Sequence, residues 1–255
     1  MSKERTPVRI ERIRGHLVCT SLLHDDATIL DLGAHKGAFS KILSARIRGK
    51  FILAEANPEL YAVLPSEEPF TRLNCAVTDE DKEVFLNLAE NPEASTILKL
   101  SSEMKVSGKE SNQIVIAGLS LRSLFDRLSL PIVDLIKLDI EGAECAALDS
   151  LSDETLSSVP QITVEFHDDP VFHFDLSLQT SRVIGRLCSL GFLVLRGEFP
   201  SNMDVLFLNR RFVFLTRNRE AWLRLKHEWL PYAHARIESY RLRLFGRLSR
   251  FGRHA

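Results

Sequence analysis

Three carboxylates follow the most apolar segment of this chain. Residues 133–138 read VDLIKL, and Asp139, Glu141 and Glu144 come directly after them around Gly142. An apolar run without alternation of apolar and polar residues is typical of a strand buried on both faces of a parallel sheet. Ligands of open α/β sheets bind beyond the carboxyl ends of the strands. The sequence therefore places these acids where catalysis or binding is expected.

A glycine loop follows an earlier apolar strand. Residues 31–37 read DLGAHKG, whereas a pyrophosphate site favours the spacing GxGxxG, whose middle glycine is replaced here by His35. Asp31 at the strand end would repel an anion and suits a cation. The loop therefore predicts a positively charged ligand without phosphate, which S-adenosylmethionine satisfies through its ammonium and sulfonium groups. A plain turn between a strand and a helix is the alternative interpretation.

Further residues fit a nucleoside. Glu55 comes 24 residues after Asp31 at the end of the second strand, where an acid can accept hydrogen bonds from a ribose diol. Asn74, Cys75 and Ala76 end the third strand, where we expect an adenine edge. Together with the glycine loop, these positions favour a ligand that contains adenosine.

The segments between these residues alternate between strands and helices. The predicted strands are 28–32, 51–54, 71–77, 83–88, 112–117, 133–138, 161–166, 191–196 and 203–208. The predicted helices are 7–22, 38–47, 58–64, 119–128, 143–151 and 177–190. The alternation predicts an α/β fold with a doubly wound, mainly parallel sheet, because a parallel pair requires a crossover long enough for a helix. The short connection between the last two strands predicts an antiparallel final hairpin.

Length, cysteine content and apolar runs limit the class of protein. The 255 residues, 45% of them hydrophobic, are predicted to form an N-terminal helical segment (1–26), an α/β domain (27–216) and a basic helical tail (217–255). The four cysteines lack CxxC spacing, so neither a zinc site nor a disulfide framework is indicated. The sequence shows neither an apolar run of the roughly 18 residues that a membrane span requires nor a signal-peptide pattern, which predicts a cytoplasmic protein.

On these motifs the chain resembles the FkbM family of S-adenosylmethionine-dependent methyltransferases. The resemblance spans about residues 27–210 and rests on DLGAHKG (31–37), EANP (55–58), NCAV (74–77), AST (94–96), VDLIKLDIEGAE (133–144) and VEFHD (164–168). It implies a seven-stranded Rossmann-like methyltransferase sheet and O-methylation of a hydroxyl on a sugar, glycan or secondary metabolite. One departure is His35, where the family usually carries Asn.

The resemblance implies an S-adenosylmethionine site in the loops after the first strands and at the end of the fourth. Its candidate residues are Asp31, Gly33, Ala34, His35, Lys36, Gly37, Glu55, Ala56, Asn57, Asn74, Cys75, Ala76 and Asp139. No metal is predicted, because the spacing of His167, Asp168, Asp169 and His173 is not diagnostic of a metal site. These four residues are instead interpreted as a polar loop over the site.

The catalytic candidates follow from the chemistry of a sulfonium. Its methyl group is already activated, so the protein must chiefly position an oxygen in line with the C–S bond and accept its proton. We expect Asp139 and His167, on adjacent parallel strands, to face one crevice as proton acceptors, and Glu141 is the third catalytic candidate. Glu144 is expected in the first turn of a helix, where the macrodipole favours negative charge. Glu165 is predicted to face either the core or the cleft.

The tail differs from the body in charge. Residues 217–255 hold ten Lys and Arg against three Asp and Glu. From Arg236 onward, apolar side chains recur at intervals of three and four, at Ile237, Tyr240, Leu244, Leu248 and Phe251. This pattern predicts a basic amphipathic helix that lies on an anionic membrane or covers a partner's apolar surface. Docking on its own domain or on a dimer partner is the other interpretation, and the acidic body argues against nucleic acid.

Two other functions stay open at this point. One is a nicotinamide-dependent oxidoreductase on a Rossmann sheet, which the missing middle glycine argues against. The other is a non-catalytic member of the fold that binds a cofactor or a partner.

Overall fold

A seven-stranded sheet forms the centre of the molecule. The computed structural model describes residues 8–88, 96–97, 112–130, 132–168 and 176–237. In chain order the strands are β1 (Ile10–Ile13), β2 (His16–Cys19), β3 (Thr28–Leu32), β4 (Lys50–Glu55), β5 (Phe70–Asn74), β6 (Ala76–Thr78), β7 (Lys82–Leu88), β8 (Asn112–Ser120), β9 (Leu135–Leu138), β10 (Gln161–Val164), β11 (Phe192–Arg196) and β12 (Val205–Asn209). The large sheet has the spatial order β11-β12-β10-β9-β3-β4-β5.

The strand directions confirm the predicted sheet. Neighbours from β10 through β9, β3 and β4 to β5 pair in parallel, whereas β12 runs antiparallel to both β10 and β11. The strand order changes direction at β3, because β4 and β5 follow it on one side of the sheet and β9 and β10 lie on its other side. Such a switch point leaves a crevice beyond the carboxyl ends of the strands.

Helices pack on both faces of the sheet. They are α1 (Ala38–Ser44), α2 (Pro58–Ala62), α3 (Leu121–Arg127), α4 (Glu144–Asp149), α5 (Asp153–Ser158), α6 (Ser177–Ser189) and α7 (Arg217–Arg224). Successive side chains of β4 point to opposite faces. Phe51 and Leu53 pack in one core with α1, while Ile52 and Ala54 pack in the core formed with α3 to α6. Burial on both faces explains why these strands show no polar alternation.

The helix predicted over residues 7–22 is wrong, because residues 10–19 form the antiparallel hairpin β1–β2. Arg14 and Gly15 both have positive φ, 50° and 99°, as expected for the two-residue turn of a hairpin. All four residues of β2 are buried. The Gln161 side chain fixes β2 to the sheet, since its Nε2 donates to Cys19 O (3.1 Å) and its Oε1 accepts from Cys19 N (2.8 Å).

A small second sheet lies beside the end of β5. The predicted strand 71–77 divides at Cys75 into β5, in the large sheet, and β6, which pairs in parallel with β8. β8 also pairs antiparallel with β7, so the strands predicted at 83–88 and 112–117 are confirmed. Of the connection between them, the structure describes Thr96 and Ile97.

The C-terminal segment is helical as far as the structure describes it. Helix α7 begins after the N-cap Thr216 and continues through a π-helical turn, Leu225–Trp229, and further helical residues to 237. The amphipathic pattern predicted from Arg236 onward lies almost wholly outside the described residues. None of the helices in the described ranges is both long and apolar enough to cross a membrane.

Candidate functional site

The glycine loop between β3 and α1 is tightly constrained. Gly33 has φ +75°, and a Cβ placed on it would lie 1.7 Å from the carbonyl oxygen of Asp139, so a side chain does not fit. The amides of Gly33 and Ala34 both donate to Ala54 O at 3.0 Å. Gly37 caps α1 with φ +72°, and its Cβ would lie 2.8 Å from Pro65 Cδ. The loop therefore holds the ends of β3, β4 and β9 together.

His35 forms the tip of this loop and lines the cleft. Its φ is +52°, a left-handed conformation in which both Asn and His are enriched among non-glycine residues. The His35 amide donates to Glu55 Oε2 at 2.8 Å. His at position 35, where the resemblance leads us to expect Asn, is thus compatible with the left-handed backbone conformation of the loop.

Glu55 lies at the end of β4 with its carboxylate in the cleft. Burial raises the pKa of Glu55. The amides of Asn57 and His35 act in the opposite direction, because they donate to its two carboxylate oxygens. Each carboxylate oxygen can accept a second hydrogen bond, so the carboxylate still has acceptor capacity for a diol. Asn57 itself acts locally, because its Oδ1 accepts from Glu59 N at 2.9 Å and so caps α2.

The third strand end provides the apolar wall of the cleft. Cys75 and Ala76 line it together with Ala56, Val77, Leu86 and Ile97. An apolar wall suits the faces of a purine. Asn74 does not line the cleft, since its Nδ2 donates to the carbonyl oxygens of Glu55 (2.9 Å) and Ala56 (3.3 Å). It positions the acid-bearing end of β4 instead.

Asp31 lies beneath the glycine loop and does not line the cleft. It is fully buried, its Oδ2 accepts from Ser40 Oγ at 2.7 Å, and its Oδ1 lies 3.3 Å from Lys137 Nζ. Asp31 and Lys137 are cross-strand partners on β3 and β9. This placement argues against the expected direct contact with a cationic ligand, because Asp31 contacts Lys137 beneath the loop instead.

Lys36 and Gly37 also lie outside the cleft lining, as does Asn57. Of the predicted cofactor residues, those that the structure brings together around the cleft are Gly33, Ala34, His35, Glu55, Ala56, Cys75, Ala76 and Asp139.

Lys137 carries positive charge into the cleft. It is buried, and its Nζ donates to Gly33 O at 2.6 Å and lies 3.4 Å from Asp139 Oδ2. Burial lowers the pKa of this ammonium, but the charges of Asp139 and Asp31 outweigh burial and raise it. Lys137 is therefore a permanent cation that links the buried acid of β3 to the acid at the end of β9.

Asp139 follows β9 and lines the cleft. Although burial raises its pKa, Lys137, His16 and His167 together hold it well below its usual range. A carboxylate that stays ionised so firmly is a weak proton acceptor at neutral pH. Asp139 therefore fits a role in charge and orientation better than the predicted role as the base.

His167 is buried behind the cleft wall and does not itself line the cleft. Its Nδ1 lies 2.9 Å from Glu144 Oε1 and its Nε2 lies 3.3 Å from Glu141 Oε2. Burial opposes the charged imidazolium, but the hydrogen bond to Glu144 and the charges of Glu144, Glu141 and Asp139 raise the pKa of His167 to about 9. At neutral pH it already carries the proton, which argues against its predicted role as a base.

Glu144 lies in the first turn of α4, as predicted, and is buried. Its Oε1 also accepts from the amides of Ile140 (3.0 Å) and Gly142 (3.1 Å). This carboxylate therefore fixes both the turn after Asp139 and the ring of His167. The contact with His167 joins residues 23 positions apart, and no local pattern in the sequence signals it.

Two acids in the cleft have the properties of a general base. Glu141 and Glu165 both line the cleft, and burial raises the pKa of each to about 7. Glu141 adopts φ +55° immediately before Gly142 at φ +102°, and Thr96 Oγ1 donates to its carbonyl oxygen at 2.6 Å. Glu165, predicted to face either the core or the cleft, faces the cleft.

The N-terminal hairpin adds two residues that the sequence did not indicate. Arg14 and His16 line the cleft, and His16 is buried with its ring edge against Phe39. His16 Nε2 lies 3.7 Å from Asp139 Oδ2. The helix predicted over residues 7–22 gives His16 no such role, because the role depends on the turn at Arg14 and Gly15.

Two groups of His and carboxylate side chains have ligand atoms within 4.8 Å of one another. They are His16, Asp139 and Glu165, and Asp139, Glu141 and His167. Both share Asp139, and the Lys137 ammonium already lies 3.4 Å from its Oδ2. In the proposed polar loop, the Asp168 carboxylate accepts from Asn202 Nδ2 at 2.9 Å, while Asp169 and His173 lie outside the described residues. We assign no metal to either group.

The cleft has a volume of about 300 Å³ and lies at the carboxyl ends of β3, β4 and β9. That volume is within the range of small-molecule and cofactor sites. A mainly parallel seven-stranded sheet with an antiparallel hairpin at one edge, and a glycine loop followed by an acid at the end of the next strand, are typical of S-adenosylmethionine-dependent methyltransferases.

The sequence matches the methyltransferase FkbM domain over residues 31–206, more than half of the chain. The chain therefore belongs to the FkbM methyltransferase family. S-adenosylmethionine is its cofactor, as predicted, and the family argues against the nicotinamide-dependent alternative. No curated protein matches the sequence.

Comparison with solved structures finds the following similar proteins. Methyltransferase FkbM from Methylobacillus flagellatus KT has a TM-score of 0.46 and 15% identity over 73% of this chain, which spans 44% of that protein's length. Aeropyrum pernix fibrillarin, solved with natively bound S-adenosyl-L-methionine, has a TM-score of 0.39 and 13% identity over 81% of this chain and 84% of its own. For precorrin-6y C5,15-methyltransferase from Geobacter metallireducens GS-15 the values are 0.37 and 13%, over 73% and 80%.

Proposed function

We propose that this chain transfers a methyl group from S-adenosylmethionine to a hydroxyl oxygen of a sugar, glycan or related secondary metabolite. The observation that carries the proposal is the Glu141 carboxyl, which lines the same cleft as Glu55 and has a pKa of about 7. A hydroxyl becomes a good nucleophile only as its proton leaves, and a base with a pKa near the working pH removes that proton best.

The residues around the cleft fit the cofactor. The loop at Gly33, Ala34 and His35 lets the ligand approach the backbone closely. Glu55 offers its carboxylate to a ribose diol, and Cys75 and Ala76 line the part of the cleft where the adenine ring is expected. When bound, S-adenosylmethionine supplies an electrophilic methyl group on a sulfonium. Asp139, kept anionic by Lys137, adds negative charge that favours a cationic ligand.

The catalytic work of the chain is then proton transfer and orientation. Glu141 accepts the proton of the acceptor hydroxyl at a carboxylate oxygen. His167, held by Glu144 and positively charged, lies 3.3 Å from Glu141 Oε2 and fixes the orientation of that carboxylate. Glu165, which has the same raised pKa and lines the same cleft, is the second candidate for the base. Positioning the oxygen supplies the rest of the rate enhancement.

The test uses the full chain with S-adenosylmethionine labelled in its methyl group and an extract of metabolites and glycans. We expect label in a small molecule or glycan as a methyl ether that is stable to base, and label lower by about a hundredfold or more with Glu141→Gln. Label in protein or nucleic acid, or on nitrogen, would contradict the proposal.

A separate test distinguishes the non-catalytic alternative, in which the chain binds its cofactor but transfers no methyl group. A chain that binds S-adenosylmethionine by calorimetry but labels nothing with any acceptor would support it. If Asp139→Ala abolishes labelling and the variant still unfolds cooperatively at a similar temperature, the non-catalytic alternative fails.

A further inference from the structure

The C-terminal helical segment has one face fixed on the domain. Leu223 of α7 is buried in the core with β11 and β12. Glu228 is buried, and its Oε1 accepts from the amide of Arg196 at 3.0 Å. The segment is therefore held on the domain at Leu223 and Glu228, which gives its opposite face a defined orientation.

The opposite face exposes large apolar side chains. We call it the aromatic face, and it consists of Trp222, Leu225, Trp229, Leu230 and Ile237, which are between 43% and 59% exposed. Their intervals of three, four, one and seven residues place them along one side of a helix, and such a row of large exposed apolar residues indicates an interaction site. Both tryptophans of the chain belong to this face.

Positive charge surrounds the aromatic face. The guanidinium of Arg219 lies 4.6 Å from the centroid of the Trp222 ring, and Lys226 Nζ lies 5.2 Å from it. The two acids of the segment are already engaged, since Glu220 pairs with Arg210 and Glu228 is buried beside Arg224.

Basic side chains remain without an acidic partner among the described residues of this segment. They are Arg217, Arg219, Lys226 and Arg236. The excess of positive charge continues in the sequence, which has five arginines and one acid, Glu238, between residues 238 and 255.

From these contacts we propose that the aromatic face binds the surface of an anionic lipid bilayer. Interfacial helices combine Trp and Leu on one side with Lys and Arg around them, and Trp rings favour the level of the headgroups. Anionic headgroups complement the basic side chains, which gives the two signals, apolar and electrostatic, that stable attachment requires. A second copy of the chain is the less favourable partner, because two such faces would bring like charges together.

Tryptophan fluorescence of the full chain tests the proposal directly, because Trp222 and Trp229 are its only tryptophans. The probes are vesicles of phosphatidylcholine alone and of phosphatidylcholine with phosphatidylserine. We expect a blue shift of the emission and co-sedimentation with the anionic vesicles at low salt, with both weakened at least tenfold at 0.5 M salt. Equal binding to both vesicle types, or no blue shift with anionic vesicles at low salt, would overturn the proposal.

The variant Leu225→Glu places an acid on the aromatic face and leaves both tryptophans as reporters. We expect at least a tenfold loss of partitioning onto anionic vesicles. The matched control is Leu178→Glu, the same substitution at a position that is 79% exposed on α6, a helix that packs on the other face of the sheet. Loss of binding in both variants would contradict a specific face. Light scattering that shows a dimer dissociated by Leu225→Glu would identify the second copy as the partner instead. Unchanged unfolding temperatures and S-adenosylmethionine affinity confirm that both variants fold.

Discussion

Nε2 of His167 lies 3.3 Å from Oε2 of Glu141. The two side chains differ in protonation at neutral pH. The pKa of His167 is raised to about 9, so His167 stays protonated, whereas that of Glu141 is raised to about 7, so Glu141 can exchange a proton. The histidine is therefore the fixed cation and the glutamate the group that can take up a proton. This assignment reverses the usual expectation for a His and carboxylate pair.

Glu141→Gln tests the glutamate as the base. The amide keeps the size of the side chain but cannot accept the proton, so we expect the rate of methyl transfer to fall about 10²- to 10⁴-fold. The affinity for S-adenosylmethionine, measured by calorimetry, should change little. Glu165→Gln is the matched variant, and a larger loss of rate there than in Glu141→Gln would assign the proton to Glu165.

The pH dependence of the rate follows from the same pKa. A carboxyl with a pKa of about 7 is mostly protonated at pH 6, so we expect kcat/KM to rise about tenfold per pH unit up to about pH 7 and then to level off. Stopped-point assays between pH 5 and 9 measure this profile. A profile that is flat from pH 5 to 7 would indicate a base that is already ionised, such as Asp139.

Stability should depend on the charge of His167. Its folded pKa of about 9 lies above the unfolded value of 6.5, so its contribution is complete below pH 6.5 and is lost as pH rises through 9. The loss amounts to about 3 kcal/mol at most by linkage. Urea unfolding at pH 6 and pH 9.5 measures it. In His167→Gln the difference between the two pH values should shrink, and an unchanged difference would mean that other groups cause it.

Chelation tests whether the groups around Asp139 need a metal. Because Lys137 Nζ lies 3.4 Å from Asp139 Oδ2, positive charge is already present there, and we expect the rate of methyl transfer to be unchanged after treatment with EDTA. Restoration of at least tenfold activity by Mg²⁺ or Mn²⁺ would show that the cation is required.

The strands and the glycine loop were predictable because each rests on a local signal. The apolar runs that became β3, β4 and β9 are buried on both faces, and Gly33 lies where any side chain would collide with Asp139 O. The same double burial hid the position of Asp31. When both faces of a strand are apolar, the sequence does not reveal which side a polar residue occupies.

The hairpin and the ion pairs of the site depended on contacts that local patterns do not report. Ile10, Ile13 and Leu17 recur at helical spacing, but Arg14 and Gly15 turn the chain back between the second and the third. That turn brings His16 of β2 to Asp139, so the wrong helix also concealed a residue of the cleft.

Gly33→Ala should be the most damaging small substitution in the loop. Its Cβ would meet the Asp139 carbonyl oxygen at 1.7 Å, and its φ of +75° is unfavourable for any L side chain, so we expect a loss of about 2–4 kcal/mol in the free energy of unfolding. The matched control is Gly185→Ala in α6, where a Cβ meets nothing within 4 Å and φ is ordinary. There we expect a gain of about 0.5–1 kcal/mol, because alanine favours a helix interior over glycine. Denaturant unfolding of both variants measures the two changes, and equal effects would mean that the close approach of β3 and β9 at Gly33 relaxes without cost.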